Sequence, residues 1–209
     1  PITSDENYDF IFIRELAKRL PDHPFLQKVE AEFEGFSEEK IKLPEKMLST
    51  DKAYSWGEIN KWLERIDKFS QEINYSTDDI QIKGTAKLDG FAGYDDGTFL
   101  YTRGDGNKGS NISRVFERGL SIFNDSRRGQ GPGEIVVKRS YFEKYLGNHF
   151  EFPRNFQASL IKEKELDKFA IDAINAKAAL FVPFTQLPHW LGSIDEFRSQ
   201  FLDIVSELE

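Results

Sequence analysis

The chain has 209 residues, 39% of them hydrophobic, and a formal net charge of −8 at neutral pH. This acidic balance argues against a protein that grips nucleic acid over its whole surface, although it leaves room for a local basic groove. Cysteine is absent and the three histidines are far apart in sequence, so neither a disulfide nor a Cys- or His-based metal site is predicted. No apolar run reaches the length of a membrane span and no signal peptide opens the chain, so a cytoplasmic protein without membrane contacts is expected.

The N-terminal part of the chain is helical in pattern. Apolar residues recur at helical spacing from Tyr8 to Leu20, and a second helix is predicted from about Phe25 to Phe33. Ser55 and Glu58 have the spacing of a capping box, which predicts a helix that begins there and ends near Phe69.

From Ile80 onwards the hydrophobic period changes from helical to two. A strand is predicted from Ile80 to Lys87. Residues 91–94 and 98–102 flank an Asp-Asp-Gly turn and therefore predict a β-hairpin. Two further strands are predicted at residues 133–138 and 178–184, the second of them fully buried.

Helices are predicted between and after these strands. One covers residues 107–120, and the pairs Ser140 with Glu143 and Ser193 with Glu196 each have the spacing of a capping box. The whole pattern predicts an α+β fold with mainly antiparallel strands.

Lys87 is the residue that most clearly indicates chemistry. Its neighbours Ala86 and Leu88 are apolar, which predicts partial desolvation of the amine, and desolvation makes a lysine more nucleophilic. The turn Asp89-Gly90 fixes the backbone, and Arg103 at the end of the hairpin has a guanidinium suited to phosphate. The alternative is a solvated lysine at the edge of a strand.

Several other polar and aromatic residues are expected to be structural. Trp62 and Trp190 are predicted to lie in the core. Arg127 and Arg128 are predicted to form a solvated loop, and His189 is predicted to be a surface or capping residue.

The stretch KLDG, a hairpin, TRGDG, a nearby glycine and a helix together resemble the adenylation core of bacterial NAD-dependent DNA ligases. The resemblance continues through GEIVV and FPRN downstream, and through PEKMLSTDKAYS and PITSDENYDFIFIREL upstream. It implies a nucleotidyltransferase (ATP-grasp-like ligase) core over residues 41–209. It also implies that residues 1–40 are part of a small helical subdomain that binds nicotinamide mononucleotide (NMN).

The resemblance also implies roles for particular residues. Lys87 would attack the α-phosphorus of NAD and form a lysyl-AMP intermediate, with Asp89 beside it and Mg²⁺ as a second cofactor. The other residues that the resemblance assigns to NAD are Asp5, Tyr8 and Asp9 for its NMN half, Ser49, Thr50 and Thr85 for the adenine pocket, and Arg103 and Glu134 for ribose and phosphate.

The sequence departs from the family at several places, one of which is the pair Ser110 and Asn111, where the family has acids. Thr85 stands where the family has a glutamate that reads adenine, and Pro132 and Ile161 stand where it has arginines. The family's C-terminal motifs and DNA-gripping domains are not in the chain, so nicked duplex DNA is expected to be bound through regions outside it or through a second ligase subunit. Two hypotheses remain open at this point: the adenylation part of an NAD-dependent DNA ligase, or a ligase-like module that binds a nucleotide or a protein without catalysis.

Overall fold

The computed structural model describes residues 8–23, 26, 40–48, 50–162 and 165–208, with side chains described from Ile11 onwards. The strands are β1 (Ile41–Lys42), β2 (Gln81–Thr85), β3 (Phe91–Asp95), β4 (Leu100–Thr102), β5 (Lys108–Gly109), β6 (Ser121–Ile122), β7 (Gly131–Val137), β8 (Ala179–Pro183) and β9 (His189–Ser193). The helices are α1 (π-helical Tyr8–Ile13, then α-helical Arg14–Arg19), α2 (Trp56–Glu72), α3 (Arg114–Glu117), α4 (Arg139–Tyr141, then π-helical Phe142–Leu146), α5 (Pro153–Ile161), α6 (Lys168–Asn175) and α7 (Ile194–Leu208).

The largest sheet has five strands in the order β4-β3-β7-β8-β6, antiparallel except for the pair β6–β8. Residues of β7 alternate between its two faces, so that Ile135 and Val137 are buried while Glu134 and Val136 face the opposite side. The buried face packs against α3 to α6 and forms the main core. The opposite face carries the polar residues considered below.

A second sheet pairs β2 with β9, and α2 and α7 pack on it. The capping box predicted for α7 is confirmed, because Ser193 Oγ accepts from Glu196 N at 3.2 Å and Glu196 Oε2 accepts from Ser193 N at 2.7 Å. The cap of α2 is confirmed on one side only. Ser55 Oγ accepts from Glu58 N, but the carboxylate of Glu58 accepts from Tyr54 N instead of Ser55 N.

The predicted strands and hairpin of the central sheet are confirmed, whereas the helix predicted at residues 107–120 is mostly wrong. Lys108 and Gly109 instead form β5, which pairs with β1, and only the four residues of α3 are helical. Gly109 lies so close to the carbonyl of Thr102 that a Cβ would collide with it. The close approach of two backbones therefore replaces the predicted helix.

Three further expectations need correction. Ser140 lies inside α4 and does not cap it, and Glu143 accepts from Arg139 Nε at 2.8 Å. Arg127 is exposed as predicted, but Arg128 is only partly exposed, because it forms an ion pair with the buried Asp95. Trp62 is 37% exposed and lies at the edge of the second core, whereas Trp190 packs against that core as predicted.

At the N-terminal end, the helix predicted from Tyr8 to Leu20 is confirmed as α1. The helix predicted from Phe25 to Phe33 falls outside the described residues except for Leu26. No helix in the described part of the chain is long and apolar enough to cross a membrane.

Candidate functional site

A row of side chains crosses the face of the five-stranded sheet that lies opposite the main core, between two smaller apolar clusters. Ala92 on β3 lies directly opposite Glu134 on β7. On the other side of Ala92, the backbone N–H of Arg103 donates to its carbonyl at 3.1 Å, one residue beyond the last pair of the β3–β4 ladder. Directly opposed residues point to the same face of a sheet. Arg103 and Glu134 therefore flank the small side chain of Ala92.

Lys87 lies on the connecting segment of residues 86–90, which joins β2 to β3 and has no regular structure. Its side chain is exposed, while Ala86 and Leu88 are half-buried. The expected desolvation of the amine is therefore wrong, because the apolar neighbours pack into the protein and the lysine does not. The connecting segment places Lys87 next to the row on the sheet.

Gly90 ends this segment in close contact with β7. A Cβ at this position would lie 2.5 Å from Glu134 Cγ and 2.9 Å from Val136 Cγ1. Only glycine allows this approach, since real Cβ atoms do not come so close to other carbons. The Asp-Gly turn therefore lies directly against Glu134.

Helix α5 contacts the same turn from another side. Arg154 Nη2 lies 3.5 Å from Asp89 Oδ1, and Gln157 Nε2 donates to the backbone carbonyl of Asp89 at 3.0 Å. The helix begins with Pro153, which is favoured in the first turn because its missing N–H needs no partner there.

The pKa of Glu134 depends on the burial of this residue and on the charges around it. Burial raises the pKa of Glu134 to about 7, above its ordinary value of 4.5. The positive charges of Arg154 and Arg103, in that order, lower it. Asp89 raises it and Lys87 lowers it by smaller amounts. Lys87, Asp89 and Arg103 therefore each lie within electrostatic reach of Glu134, whose pKa of about 7 leaves it divided between its acid and carboxylate forms near neutral pH.

The RGDG turn that follows β4 is shaped by its own aspartate. Asp105 Oδ1 accepts from the backbone N–H groups of Asn107 and Lys108, both at 2.8 Å. These hydrogen bonds lower the pKa of Asp105, so the turn holds a carboxylate at neutral pH. Asp105 therefore has a structural role in presenting Arg103.

The structure describes only some of the remaining predicted site residues. Thr85 is the last residue of β2, is exposed and lies opposite His189, which is exposed as predicted. Thr50 is exposed and lies three residues after Met47. The backbone N–H of Met47 donates to the carbonyl of Gly106, which ties this segment to the RGDG turn. Asp5 and Ser49 lie outside the described residues, and the side chains of Tyr8 and Asp9 are likewise not described.

Two residues of the site were not predicted. Arg154 is part of the FPRN motif, whose resemblance to the family assigns this arginine no role; its contact with Asp89 makes it part of the cluster. Gln157 follows three residues later, and i,i+3 spacing on a helix puts both side chains on the same face. That spacing is the signal from which Gln157 could have been inferred once Arg154 was considered.

Within the described residues, no group of three or more His, Asp or Glu side chains could hold a metal ion. Asp89 and Glu134 do provide two neighbouring carboxyl groups. Mg²⁺ is commonly held by one or two carboxylates together with substrate phosphates and water. The donor set therefore fits an ion that arrives with a nucleotide.

The fold and this cluster define an α+β domain in which one lysine and two arginines lie around a half-buried acid, an arrangement suited to phosphate esters. Residues 35–165 match the family model described as the NAD-dependent DNA ligase adenylation domain. This match includes the whole cluster from Lys87 to Gln157. The chain belongs to the NAD-dependent DNA ligase adenylation domain family.

Curated proteins named DNA ligase align with the whole chain. The DNA ligase of Ruthia magnifica subsp. Calyptogena magnifica is 59% identical over 208 residues, which are 100% of this chain and 34% of that protein. The DNA ligase of Desulfotalea psychrophila is 50% identical over 210 residues, covering 100% of this chain and 30% of that protein. That of Shewanella baltica is 47% identical over 208 residues, covering 100% and 32%. The chain thus spans about a third of the length of these relatives.

Proposed function

We propose that this chain performs the first step of DNA ligation, the transfer of AMP from NAD to Lys87. The observation that carries the proposal is the convergence of Lys87, Asp89, Arg103 and Arg154 around Glu134 in a member of this family. We further propose that the two sheets form the core of a nucleotidyltransferase over residues 41–209. Residues 1–40 would then belong to the subdomain that holds the NMN half of NAD.

The chemistry is a displacement at phosphorus. The lone pair of Lys87 Nζ attacks the α-phosphorus of NAD, an N–P bond forms, and the bond from that phosphorus to the NMN phosphate oxygen breaks. NMN leaves with the electron pair. The exposed position of Lys87 allows its ammonium group to lose one proton to solvent before the attack and the nitrogen to lose a second proton to solvent once the N–P bond has formed.

The surrounding charges assist in two ways. Arg103 and Arg154 place positive charge where the phosphate oxygens gain negative charge in the transition state. Their fork-shaped donors also fix the phosphate in position, which is a large part of catalysis in phosphoryl transfer. The neutral form of Glu134 can donate a hydrogen bond to a ribose oxygen, and its carboxylate can accept one from a ribose hydroxyl.

Mg²⁺ would be held by Asp89 together with the phosphates of NAD, because Glu134 is only partly ionised near neutral pH. When bound, the ion would shield charge on the phosphate oxygens. We also infer that the full-length protein works in the cytoplasm and seals nicked duplex DNA there. Contacts with DNA would be made mainly through regions outside this chain or by a second ligase subunit.

The test is the intact mass of the full-length protein after incubation with NAD and Mg²⁺. We expect one AMP adduct on Lys87, no adduct in Lys87→Ala, and no adduct when ATP replaces NAD. Lys83→Ala is the matched control, because Lys83 is also exposed and lies on the adjoining strand β2. An adduct that persists in Lys87→Ala would overturn the assignment. A wild-type protein that binds NAD without forming an adduct would favour the non-catalytic module.

A further inference from the structure

We propose that Gln157 is a positioning residue for adenylation, which holds the segment 86–90 so that Lys87 reaches the nucleotide. This inference rests on the proposed function, since it concerns how the same lysine is placed. Gln157 is fully buried, at 0% exposure. Its side-chain amide makes a hydrogen bond to the connecting segment, at the backbone carbonyl of Asp89.

Helix α5 holds Asp89 at two points. Arg154 contacts the carboxylate and Gln157 donates to the backbone carbonyl. Because the two residues are three apart on one helix, their side chains lie on the same face and reach the turn together. The backbone of Asp89 is therefore tied to α5 by a bond across 68 residues of sequence.

The other side of the turn is fixed by packing. Gly90 lies against Glu134 and Val136 of β7, at distances that leave no space for a Cβ. Gln157 and β7 thus hold the Asp-Gly turn between them. Lys87 is two residues earlier in the same irregular segment, so the position of its backbone depends on this anchor.

The hydrogen bonding of Gln157 indicates a role other than stability. Its Oε1 is buried and has no hydrogen-bond partner among the described residues. A buried polar atom without a partner lowers stability, and such costs are typically found where function requires them. An unbranched apolar residue of similar length would fill the same space without this cost. What it would lack is the N–H donor to Asp89.

The first variant is Gln157→Met, which keeps the volume and removes the donor. In the full-length protein we expect the single-turnover rate of lysyl-AMP formation at saturating NAD to fall about 10- to 100-fold, the size of effect expected when a reacting group is misplaced by about 1 Å. The KM for NAD should change little, because the phosphate-binding arginines remain. Gln130→Met is the matched control, because the side-chain amide of Gln130 also makes hydrogen bonds, none of them to the segment 86–90; its partners are Ser126, Arg127, Thr185 and Gln186.

A second variant, Gln157→Glu, separates positioning from packing. A protonated carboxyl can donate to the Asp89 carbonyl, whereas a carboxylate cannot. The charged groups near this carbonyl, Asp89, Arg154 and Glu134, are the same in the wild type. The adenylation rate of Gln157→Glu, divided by that of the wild type at each pH, should therefore fall as the pH rises. A residue that only fills space would give a ratio independent of pH.

Three results are decisive. Wild-type rates in both Gln157→Met and Gln157→Glu would overturn the positioning role while leaving the proposed function intact. A loss in Gln157→Met that Gln130→Met reproduces would also overturn it, because the effect would then be general. If Gln157→Met does not fold, as judged by circular dichroism, the pH-dependent ratio of Gln157→Glu still decides the question. Absence of adduct in the wild type would instead refute the proposed function.

Discussion

Arg128 donates from Nε to both carboxylate oxygens of Asp95, at 2.8 and 2.9 Å, and its guanidinium lies 4.0 Å from the centre of the Phe116 ring. Asp95 is 1% exposed and also accepts backbone N–H groups of Gly97 and Gly129. The pair joins the turn of the β3–β4 hairpin to the loop before β7. It therefore helps to keep the strands that carry Arg103 and Glu134 in register.

Asp95→Ala should strongly destabilise the protein. It leaves the partly buried guanidinium of Arg128 and two backbone N–H groups without their acceptor, and breaking a buried ion pair typically costs about 3–5 kcal/mol. Urea unfolding followed by circular dichroism measures the change. Glu143→Ala is the control, because its pair with Arg139 is exposed and should contribute less than about 0.5 kcal/mol. Equal losses in the two variants would contradict this account of Asp95.

Glu134→Gln should change how stability depends on pH. The pKa of Glu134 is raised from 4.5 to about 7, so the folded state holds this proton more tightly than the unfolded state. Its contribution is fully present below a pH of about 4.5 and is lost as the pH rises through 7. The free energy of unfolding of the wild type should thus fall relative to Glu134→Gln over this range. The fall is at most about 3.5 kcal/mol, at about 1.4 kcal/mol per pKa unit, and is less because Glu134 is not fully buried. Parallel stability curves from pH 4 to 8, about the span set by these two pKa values, would disprove it.

Arg154→Met should weaken NAD binding. A hydrogen bond to a charged group contributes about 1.5–3 kcal/mol, so calorimetric titration with NAD should show affinity lower by roughly 10- to 100-fold. The pKa of Glu134 should also rise further, because Arg154 is the strongest of the charges that lower it. Arg127→Met removes an exposed arginine in a loop and should leave both quantities unchanged. A similar loss of affinity in that control would point to overall charge as the cause.

Gly90→Ala should disrupt the turn that Lys87 depends on. The added Cβ would collide with Glu134 and Val136 of β7, so the segment must shift. We expect the adenylation rate to fall by at least about tenfold, with a loss of stability of about 1–3 kcal/mol from overpacking. Gly57→Ala is the control, because its Cβ would have only Ser55 Oγ nearby, at 3.9 Å, in the first turn of α2. Adenylation at the wild-type rate in Gly90→Ala would show that the turn does not position the lysine.

Local signals in the sequence predicted the elements that depend on neighbours in sequence. The hairpin of β3 and β4 follows from its turn residues, and the start of α7 follows from the reciprocal bonds of Ser193 and Glu196. The nearby positions of Lys87 and Asp89 in one motif likewise placed them at one site.

Several features that the sequence did not predict depend on distant contacts, whereas the failed capping box of Ser140 and Glu143 has a local cause, the bond from Arg139 to Glu143. The helix expected at residues 107–120 is replaced by a strand because β1, far earlier in the chain, pairs with it. The solvated loop expected at Arg128 is replaced by an ion pair with Asp95, 33 residues away. The hydrogen bond from Gln157 to the carbonyl of Asp89 likewise joins residues that are far apart in sequence. No periodicity or short motif records such pairings, because the partner determines them.

Lys87 belongs to neither sheet. It lies on the segment that joins β2, in the two-stranded sheet, to β3, in the five-stranded sheet, and residues 184–188 join the same two sheets at β8 and β9. The segment is held at both ends, by the pairing of Thr85 in β2 and by the Asp-Gly turn against β7 and α5. The reach of the amine is therefore set more by the rotamers of the exposed Lys87 side chain than by movement of its backbone.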